Sequence, residues 1–205
     1  YEDKYPDIIK GIYQKENQYK KNISIFNTYI LPNVKGKYLA SCEGDDYWTD
    51  NLKLQKQVDY LEEHPECTFC FTNANIENQI DKKMRKFIPY TKEDSKYFDD
   101  TSKIYTLKNF HEIEFAPTAS YIYPVSNISR EPEYFKQQCP SNDLKRRLYY
   151  TAMGYAYYIN DITCVYRENV PNSATTVWKS QNKLQKFEKA KKILDMIENV
   201  DMYTK

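Results

Sequence analysis

Apolar residues recur along this chain with two spacings, one typical of helices and one typical of strands. Gaps of three and four residues predict helices over 16–31, 50–64, 142–154 and 182–199. Short apolar or alternating runs predict strands over 8–13, 37–42, 67–72, 118–123 and 155–166. Because strands and helices alternate, the pattern indicates an α/β fold with helices flanking a mostly parallel central sheet.

The helix over 50–64 has the clearest boundaries. Leu54, Val58 and Leu61 fall on one face, which predicts the side that packs on the sheet. Thr49 or Asp50 is placed to cap its N-terminus, and Pro65 ends it. We therefore expect a regular amphipathic helix directly after an acidic segment.

The pattern predicts one domain over residues 1–180, followed by an amphipathic helix over 181–205. A lysine-rich polar stretch over 77–103 predicts a hairpin or an insertion. A second polar stretch, 172–180, contains Trp178 and predicts a loop that covers a site. An exposed tryptophan in a loop is a candidate binding residue.

Composition excludes some classes of function. The chain has 30 Lys and Arg against 29 Asp and Glu, a net charge of +1, so we expect no nucleic-acid partner. No apolar run approaches the roughly 20 residues of a membrane span. Five cysteines, an odd number, favour a reducing compartment and a cytoplasmic location. The 21 tyrosines either reflect compositional bias or line a polar cleft.

The segment Glu43-Gly44-Asp45-Asp46 carries the most specific chemistry. It follows the strand over 37–42 and precedes the helix over 50–64. Carboxylates at the end of a strand are suited to bind a divalent cation and a phosphorylated ligand. A solvated acidic turn is the alternative. With only four glycines, no glycine-rich phosphate loop is formed, so a metal or side chains must hold any phosphate.

The run 36–58, GKYLASCEGDDYWTDNLKLQKQV, closely resembles the central motif of bacterial family 2 glycosyltransferases. The resemblance rests on a strand, an acidic turn similar to the DxD motif, an aromatic pair and a Leu-x-Lys-Gln helix. Further similar segments follow in the family's order: 116–120 (APTAS), 142–144 (NDL), 157–161 (YYIND) and 165–167 (VYR). The similarity extends over roughly residues 5–175.

This resemblance implies the glycosyltransferase A-type fold and a nucleotide-sugar donor. It also implies a divalent metal, Mn or Mg, and an acceptor that is a saccharide or a lipid-linked glycan. The family's first strand, which holds the nucleobase, is expected before Tyr5, so we interpret the chain as N-terminally incomplete. Two positions differ from the family pattern: Glu43 replaces the commoner Asp, and no His follows Arg167.

The resemblance also implies a role for each matching residue. Asp45 and Asp46 are the expected metal ligands, and Glu43 is expected to join them in donor binding. Asp143 is the expected catalytic base, although an Asp in the first turn of a helix also complements the helix dipole. The other implied contacts are Arg167 to the donor and Trp48, Pro117, Thr118 and Trp178 to the acceptor.

Several of these roles have structural alternatives. Trp48 could pack beneath the motif instead of stacking on a sugar. Pro117 and Thr118 could simply begin a strand, and Arg167 could pair with a surface carboxylate.

We expect an inverting, metal-dependent glycosyltransferase of bacterial surface polysaccharide synthesis. A basic segment over 82–86 leaves open peripheral contact with the inner face of the membrane. One alternative is a non-catalytic remnant or carbohydrate-binding module that retains the acceptor half of the fold. A nucleotidyltransferase is a third hypothesis, which is disfavoured because the chain lacks the glycine-rich loop typical of that class. The sequence does not determine the donor base, the sugar, the acceptor or the oligomeric state.

Overall fold

A computed structural model describes residues 1–21, 23–92, 94–113, 115–136 and 139–204. The chain divides into two compact units. The first comprises Tyr1–Gly36 and Glu131–Gln138, and the second comprises Lys37–Arg130 and Cys139–Lys205.

The first unit contains short turns in place of the two elements predicted there. The strand expected over 8–13 is absent, and Ile8 is 82% exposed. The helix expected over 16–31 is replaced by a 3-10 turn at Gln18–Lys21 and a π-helical turn at Phe26–Ile30. Asn22, inside that prediction, lies outside the described residues. Both predictions are wrong because an apolar run forms a regular strand or helix mainly where the rest of the fold covers its apolar face.

The second unit contains the strands and the α-helices used below. Its strands are β1 (Tyr38–Ala40), β2 (Tyr47–Trp48), β3 (Cys67–Asn78), β4 (Met84–Lys86), β5 (Lys103–Tyr105), β6 (Ile122–Pro124) and β7 (Tyr155–Glu168). Its α-helices are α1 (Lys53–Glu63), α2 (Ser126–Ser129), α3 (Asn142–Met153), α4 (Ala174–Ser180) and α5 (Lys183–Thr204). Among the described residues, no helix combines the length and the apolar character that crossing a bilayer requires.

The described strands form one mixed sheet in the order β1-β6-β3-β7-β2, with β4 on β3 and β5 on β7. Only β3 and β7 pair in parallel; the other described pairings are antiparallel. The prediction of a mostly parallel sheet is therefore corrected to a mixed α/β architecture. Hydrophobic periodicity reports burial and not strand direction, and β6 follows 3-10 turns instead of the crossover helix that a parallel pairing needs.

Aromatic side chains build much of the core around β3. The Phe69 ring packs edge-on against Tyr121 at a centroid distance of 4.9 Å, and Phe71 packs against Tyr158 at 5.3 Å. Both tyrosines also have a partner for the hydroxyl group: Tyr121 donates to the Ala116 carbonyl at 2.6 Å, and Tyr158 donates to Asn160. These tyrosines are core residues with satisfied hydroxyl groups, which is how buried tyrosines are accommodated.

Helix α1 buries a polar face. Leu61 is buried as predicted, but the residues one and two turns before it on that face are Gln57 and Lys53, which are 0% and 1% exposed. Leu54, predicted to be in the core, is exposed. The prediction failed because a buried polar side chain is tolerated only where partners satisfy it, and hydrophobic spacing does not reveal partners.

The partners of this buried face come from α1 itself, from β2 and from the distant turn Thr118–Ser120. The Lys53 ammonium donates to Gln57 Oε1 at 2.8 Å and lies 4.7 Å from the centre of the Trp48 ring. Gln57 Nε2 donates to the Ser120 carbonyl at 2.9 Å. Trp48 Nε1 donates to the Ala119 carbonyl at 2.8 Å. We call Trp48, Lys53 and Gln57 the polar clamp, because together they hold the 3-10 turn Thr118–Ser120.

The polar clamp makes a measurable prediction for stability. Gln57→Ala leaves the Ser120 carbonyl and the Lys53 ammonium without this partner, so unfolding free energy should fall by about 1–3 kcal/mol. Gln55→Ala is the matched control, since Gln55 is an exposed glutamine of the same helix; its effect should stay within about 0.5 kcal/mol. Urea denaturation of both variants measures the difference, and equal stability would show that the clamp carries no net energy.

Candidate functional site

A cavity of about 640 Å³ opens beside the end of β1. Its walls come from the segment after β1, the turn Thr118–Ser120, the start of α3, and the helices α4 and α5. Six of the residues predicted from the sequence line it: Glu43, Asp45, Asp46, Thr118, Asp143 and Trp178. The cavity therefore gathers side chains from motifs that are more than 100 residues apart in the sequence.

The segment Glu43–Asp46, which we call the acidic turn, is fixed by hydrogen bonds from main-chain N–H groups. The Asp46 N–H donates to the Glu43 carbonyl at 3.1 Å, which closes the turn. Asp46 Oδ1 accepts from the Arg167 N–H at 2.9 Å and so ties the turn to the end of β7. Immediately afterwards β2 pairs with β7, aligning Tyr47 with Val165. The acidic turn is thus tied to β7 through its C-terminal end.

Burial makes two carboxyl groups of the acidic turn hard to ionise. Desolvation raises the pKa of Asp46 to about 6, and the neighbouring Asp45 charge adds to the rise. Desolvation also raises the pKa of Glu43 to about 7, against a hydrogen bond from Thr118 that lowers it. Glu43 is nevertheless an exposed residue, so solvent screens part of the shift in its pKa. Both shifts indicate negative charge that lacks full compensation.

Asp143 faces the same cavity from the first turn of α3. Its Oδ1 accepts a hydrogen bond from the Ser141 hydroxyl at 2.9 Å, which orients the carboxylate. The Asp143 charge also contributes to the raised pKa of Glu43, so the two carboxylates interact electrostatically. Asp143 is therefore held by its own helix cap and lies near the acidic turn.

Three predicted contacts do not line the cavity. Trp48 belongs to the polar clamp, with its indole N–H bonded to a carbonyl. Pro117 is buried, and its carbonyl accepts from the Ser120 hydroxyl at 2.7 Å. The Arg167 guanidinium lies 5.0 Å from the centre of the Tyr47 ring. All three support the cavity wall, and their direct contacts to donor or acceptor remain predictions.

Trp178 lies on a helix and not in the loop predicted for 172–180. The Ser173 hydroxyl oxygen accepts from the Thr176 N–H and caps α4, which carries the tryptophan. The ring lines the cavity and is 41% exposed. The ammonium groups of Lys186 and Lys189, from α5, lie 5.3 and 5.8 Å from its centre.

The sequence interpretation missed the basic residues of the cavity. Arg146, Arg147 and Lys189 line it together with the acidic residues. The two arginines follow Asp143 by three and four positions on α3, the spacing that places side chains on one helix face. The spacing from Asp143 therefore could have indicated that both arginines line the site. No such sequence pattern pointed to Lys189, because it lies on α5, far from the other site residues in the sequence.

The donor set of the acidic turn partly fits a divalent cation. Carboxylate oxygens are the ligands that Mg²⁺ and Mn²⁺ prefer. Within the described residues, however, no group of three or more His, Cys, Asp and Glu side chains is arranged to hold a metal ion. Mg²⁺ is commonly bound by one or two carboxylates together with substrate phosphates instead of by a closed protein cage. Asp45 and Asp46 fit that second arrangement.

The known proteins to which this chain is similar match one segment of it. No family model matches the chain. Uncharacterized proteins of Mycobacterium bovis and of two strains of Mycobacterium tuberculosis are 41% identical to it over 91 residues. The match covers 43% of this chain and 25% of each relative. The matched part of the chain thus spans about a quarter of the length of these relatives.

The raised pKa of Glu43 predicts a pH-dependent cost to stability. In the folded protein this carboxyl holds its proton up to about pH 7, whereas an unfolded chain releases it near its ordinary value of 4.5. The contribution of Glu43 to the free energy of unfolding is therefore lost as the pH rises from 4.5 to about 7. Glu43→Gln cannot ionise, so its melting temperature should exceed that of the wild type at pH 8 and approach it at pH 5.

The control for this measurement is Glu63→Gln, an exposed glutamate of α1 outside the cavity. The melting temperature of Glu63→Gln, relative to the wild type, should be the same at pH 5 and at pH 8. If Glu43→Gln and the wild type melt together at pH 8, the cavity does not penalise this charge.

Proposed function

We propose that this chain is a glycosyltransferase A-type domain of the family 2 kind. In this proposal it moves a sugar, with inversion, from a nucleotide-sugar donor to a saccharide or lipid-linked acceptor. The acidic turn binds the donor together with a divalent cation, and Asp143 is the base. The reaction would serve the synthesis of a bacterial surface polysaccharide.

One observation carries the proposal. The acidic turn and Asp143 were singled out from separate motifs, and both line one cavity. Sugar transfer needs this combination, because the leaving diphosphate and the attacking hydroxyl must meet at the same carbon. The volume, about 640 Å³, lies within the range of pockets that hold small ligands.

The carboxylates of the acidic turn would hold the cation, with Asp45 and Asp46 as ligands and Glu43 beside them. The cation supplies Lewis-acid stabilisation of the departing diphosphate. The protein's own contribution is to fix these oxygens at the edge of the sheet through the bond from the Arg167 N–H to Asp46. Uncompensated carboxylates with raised pKa values are the expected state of such a turn before a cation binds.

Asp143 would act on the acceptor. The acceptor oxygen forms a bond to the anomeric carbon while the bond from that carbon to the diphosphate breaks, and the electron pair leaves with the diphosphate. The hydroxyl proton passes to the Asp143 carboxylate. The Ser141 hydroxyl, bonded to Asp143 Oδ1, holds the carboxylate in place during this transfer.

Removing the first expected ligand tests the cation site. Calorimetric titration of Mn²⁺ in the presence of UDP should give an affinity for Asp45→Ala that is lower by roughly 10- to 100-fold. Binding by the wild type should also weaken below about pH 6, because the cation must then displace a proton from Asp46. Asp81→Ala, an aspartate outside the cavity, is the matched control. Equal affinities in all three proteins would remove the acidic turn as a metal site.

Changing the expected base tests the chemistry. Asp143→Asn keeps the shape of the side chain and an oxygen that accepts from Ser141, but loses the proton acceptor. Transfer should fall by roughly two to four orders of magnitude. The measurement is release of nucleoside diphosphate from UDP- and GDP-linked hexoses, with Mn²⁺ and a panel of neutral and acidic disaccharides as acceptors.

Melting temperature distinguishes this role from a structural one. If Asp143 only complements the dipole of α3, Asp143→Asn should cost about 0.3–1 kcal/mol of stability and leave transfer nearly unchanged. A wild type that binds disaccharides and yet releases no nucleoside diphosphate would instead support a non-catalytic carbohydrate-binding module.

A further inference from the structure

Three cationic side chains line the same cavity as the acidic turn. Arg146 and Arg147 come from α3, and Lys189 comes from α5. We call these three residues the basic wall. They lie in the same cavity as Asp143, on elements separate from the acidic turn.

Arg147 is a positioned cation. Its side chain is 5% exposed, and its guanidinium lies 5.1 Å from the centre of the Phe110 ring. It also hydrogen-bonds the Tyr121 hydroxyl, whose oxygen donates in turn to a carbonyl. An arginine packed against one ring and bonded to another cannot swing into solvent, so its charge stays at the cavity wall.

Lys189 joins this wall beside an aromatic surface. Its ammonium lies 5.8 Å from the centre of the Trp178 ring, and both side chains line the cavity. A flat ring with an adjacent cation offers an apolar face and a charge to one ligand. A saccharide with an acidic substituent presents the matching pair of features, a carbon–hydrogen face and an anion.

From this arrangement we infer that the basic wall and Trp178 bind an acceptor saccharide that carries a carboxylate or a phosphate. The inference rests on the proposed function, because it names the class of acceptor that the Asp143 side of the cavity takes. Guanidinium groups bind carboxylate and phosphate through paired hydrogen bonds. A neutral sugar has no anionic group that could accept such a pair. The donor diphosphate is assigned to the acidic turn with its cation, which leaves the basic wall for the acceptor.

Binding experiments test this inference without any transfer reaction. Cellobiouronic acid and cellobiose differ only in one carboxylate, and glucose 6-phosphate against glucose provides the corresponding phosphate pair. Calorimetric titration of the full chain should show each acidic sugar binding roughly tenfold or more tightly than its neutral partner. The difference should shrink at high salt, because exposed charges are screened. The acidic sugar with the larger gain in affinity over its own neutral partner identifies which anion the wall selects.

Variants locate the effect. Lys189→Gln and Arg146→Gln should each remove most of the difference in affinity between the acidic sugar and its neutral partner. Lys192→Gln, an exposed lysine of α5 that does not line the cavity, should keep the full preference. Melting temperatures of the three variants confirm that each is folded. Equal binding of charged and neutral sugars by the wild type, or equal losses in all three variants, would overturn the inference.

A competition experiment separates the acceptor from the donor. UDP with Mn²⁺ should leave binding of the acidic disaccharide intact. If UDP displaces it, the basic wall belongs to the donor diphosphate, and the acceptor assignment is wrong. Selective binding of acidic sugars without any release of nucleoside diphosphate would contradict the proposed transfer reaction but not the basic wall, so the two failures are distinguishable.

Discussion

The parallel ladder between β3 and β7 is the interaction on which the cavity depends. Its buried centre is joined by the hydroxyls of Thr72 and Thr163 at 2.6 Å. On one side β7 pairs with β2, and the Arg167 N–H of β7 donates a hydrogen bond to Asp46 Oδ1. On the other side β3 pairs with β6, which begins shortly after the turn Thr118–Ser120. The ladder therefore fixes the separation of two cavity walls that are far apart in the sequence.

The ladder is irregular where it approaches the site. The register between β3 and β7 shifts after Thr72, so that Thr72 opposes Ile159 while Asn73 opposes Ile162. Extra residues on one strand bend it and re-aim the side chains that follow. The shifted part of β7 is the part that pairs with β2 and reaches the acidic turn. The irregularity thus helps to place the carboxylates at the cavity instead of along the sheet.

Charge in the cavity works against folding stability. Asp46 and Glu43 both have raised pKa values because burial and neighbouring carboxylates disfavour their ionised forms. A protein selected only for stability would replace such groups with neutral ones. The cation of the proposed function would relieve this repulsion, since one positive ion can compensate several carboxylates at once. The unfavourable electrostatics and the proposed chemistry therefore have one physical cause.

Features that depend on neighbouring residues in the sequence were predicted, whereas features that depend on distant residues were not. The helix after the acidic turn was predicted from its spacing and from Pro65, and the structure has α1 at Lys53–Glu63. The mixed sheet, the exposed Ile8 and the buried face of α1 were not predicted, because each depends on which distant residues cover it. Asp143 was found through a motif, whereas Lys189 needed the packing of a helix that the local pattern does not position.

The polar clamp shows why these long-range contacts matter for chemistry. Burial lowers the pKa of Lys53 to about 8, so at neutral pH a charged ammonium is held beside Gln57. Gln57 in turn holds the Ser120 carbonyl, two residues after Thr118, whose hydroxyl bonds Glu43. Buried polar networks tend to hold together as a unit, because each lost bond leaves a buried group unsatisfied. The position of Glu43 in the cavity thus depends on side chains that do not line the cavity themselves.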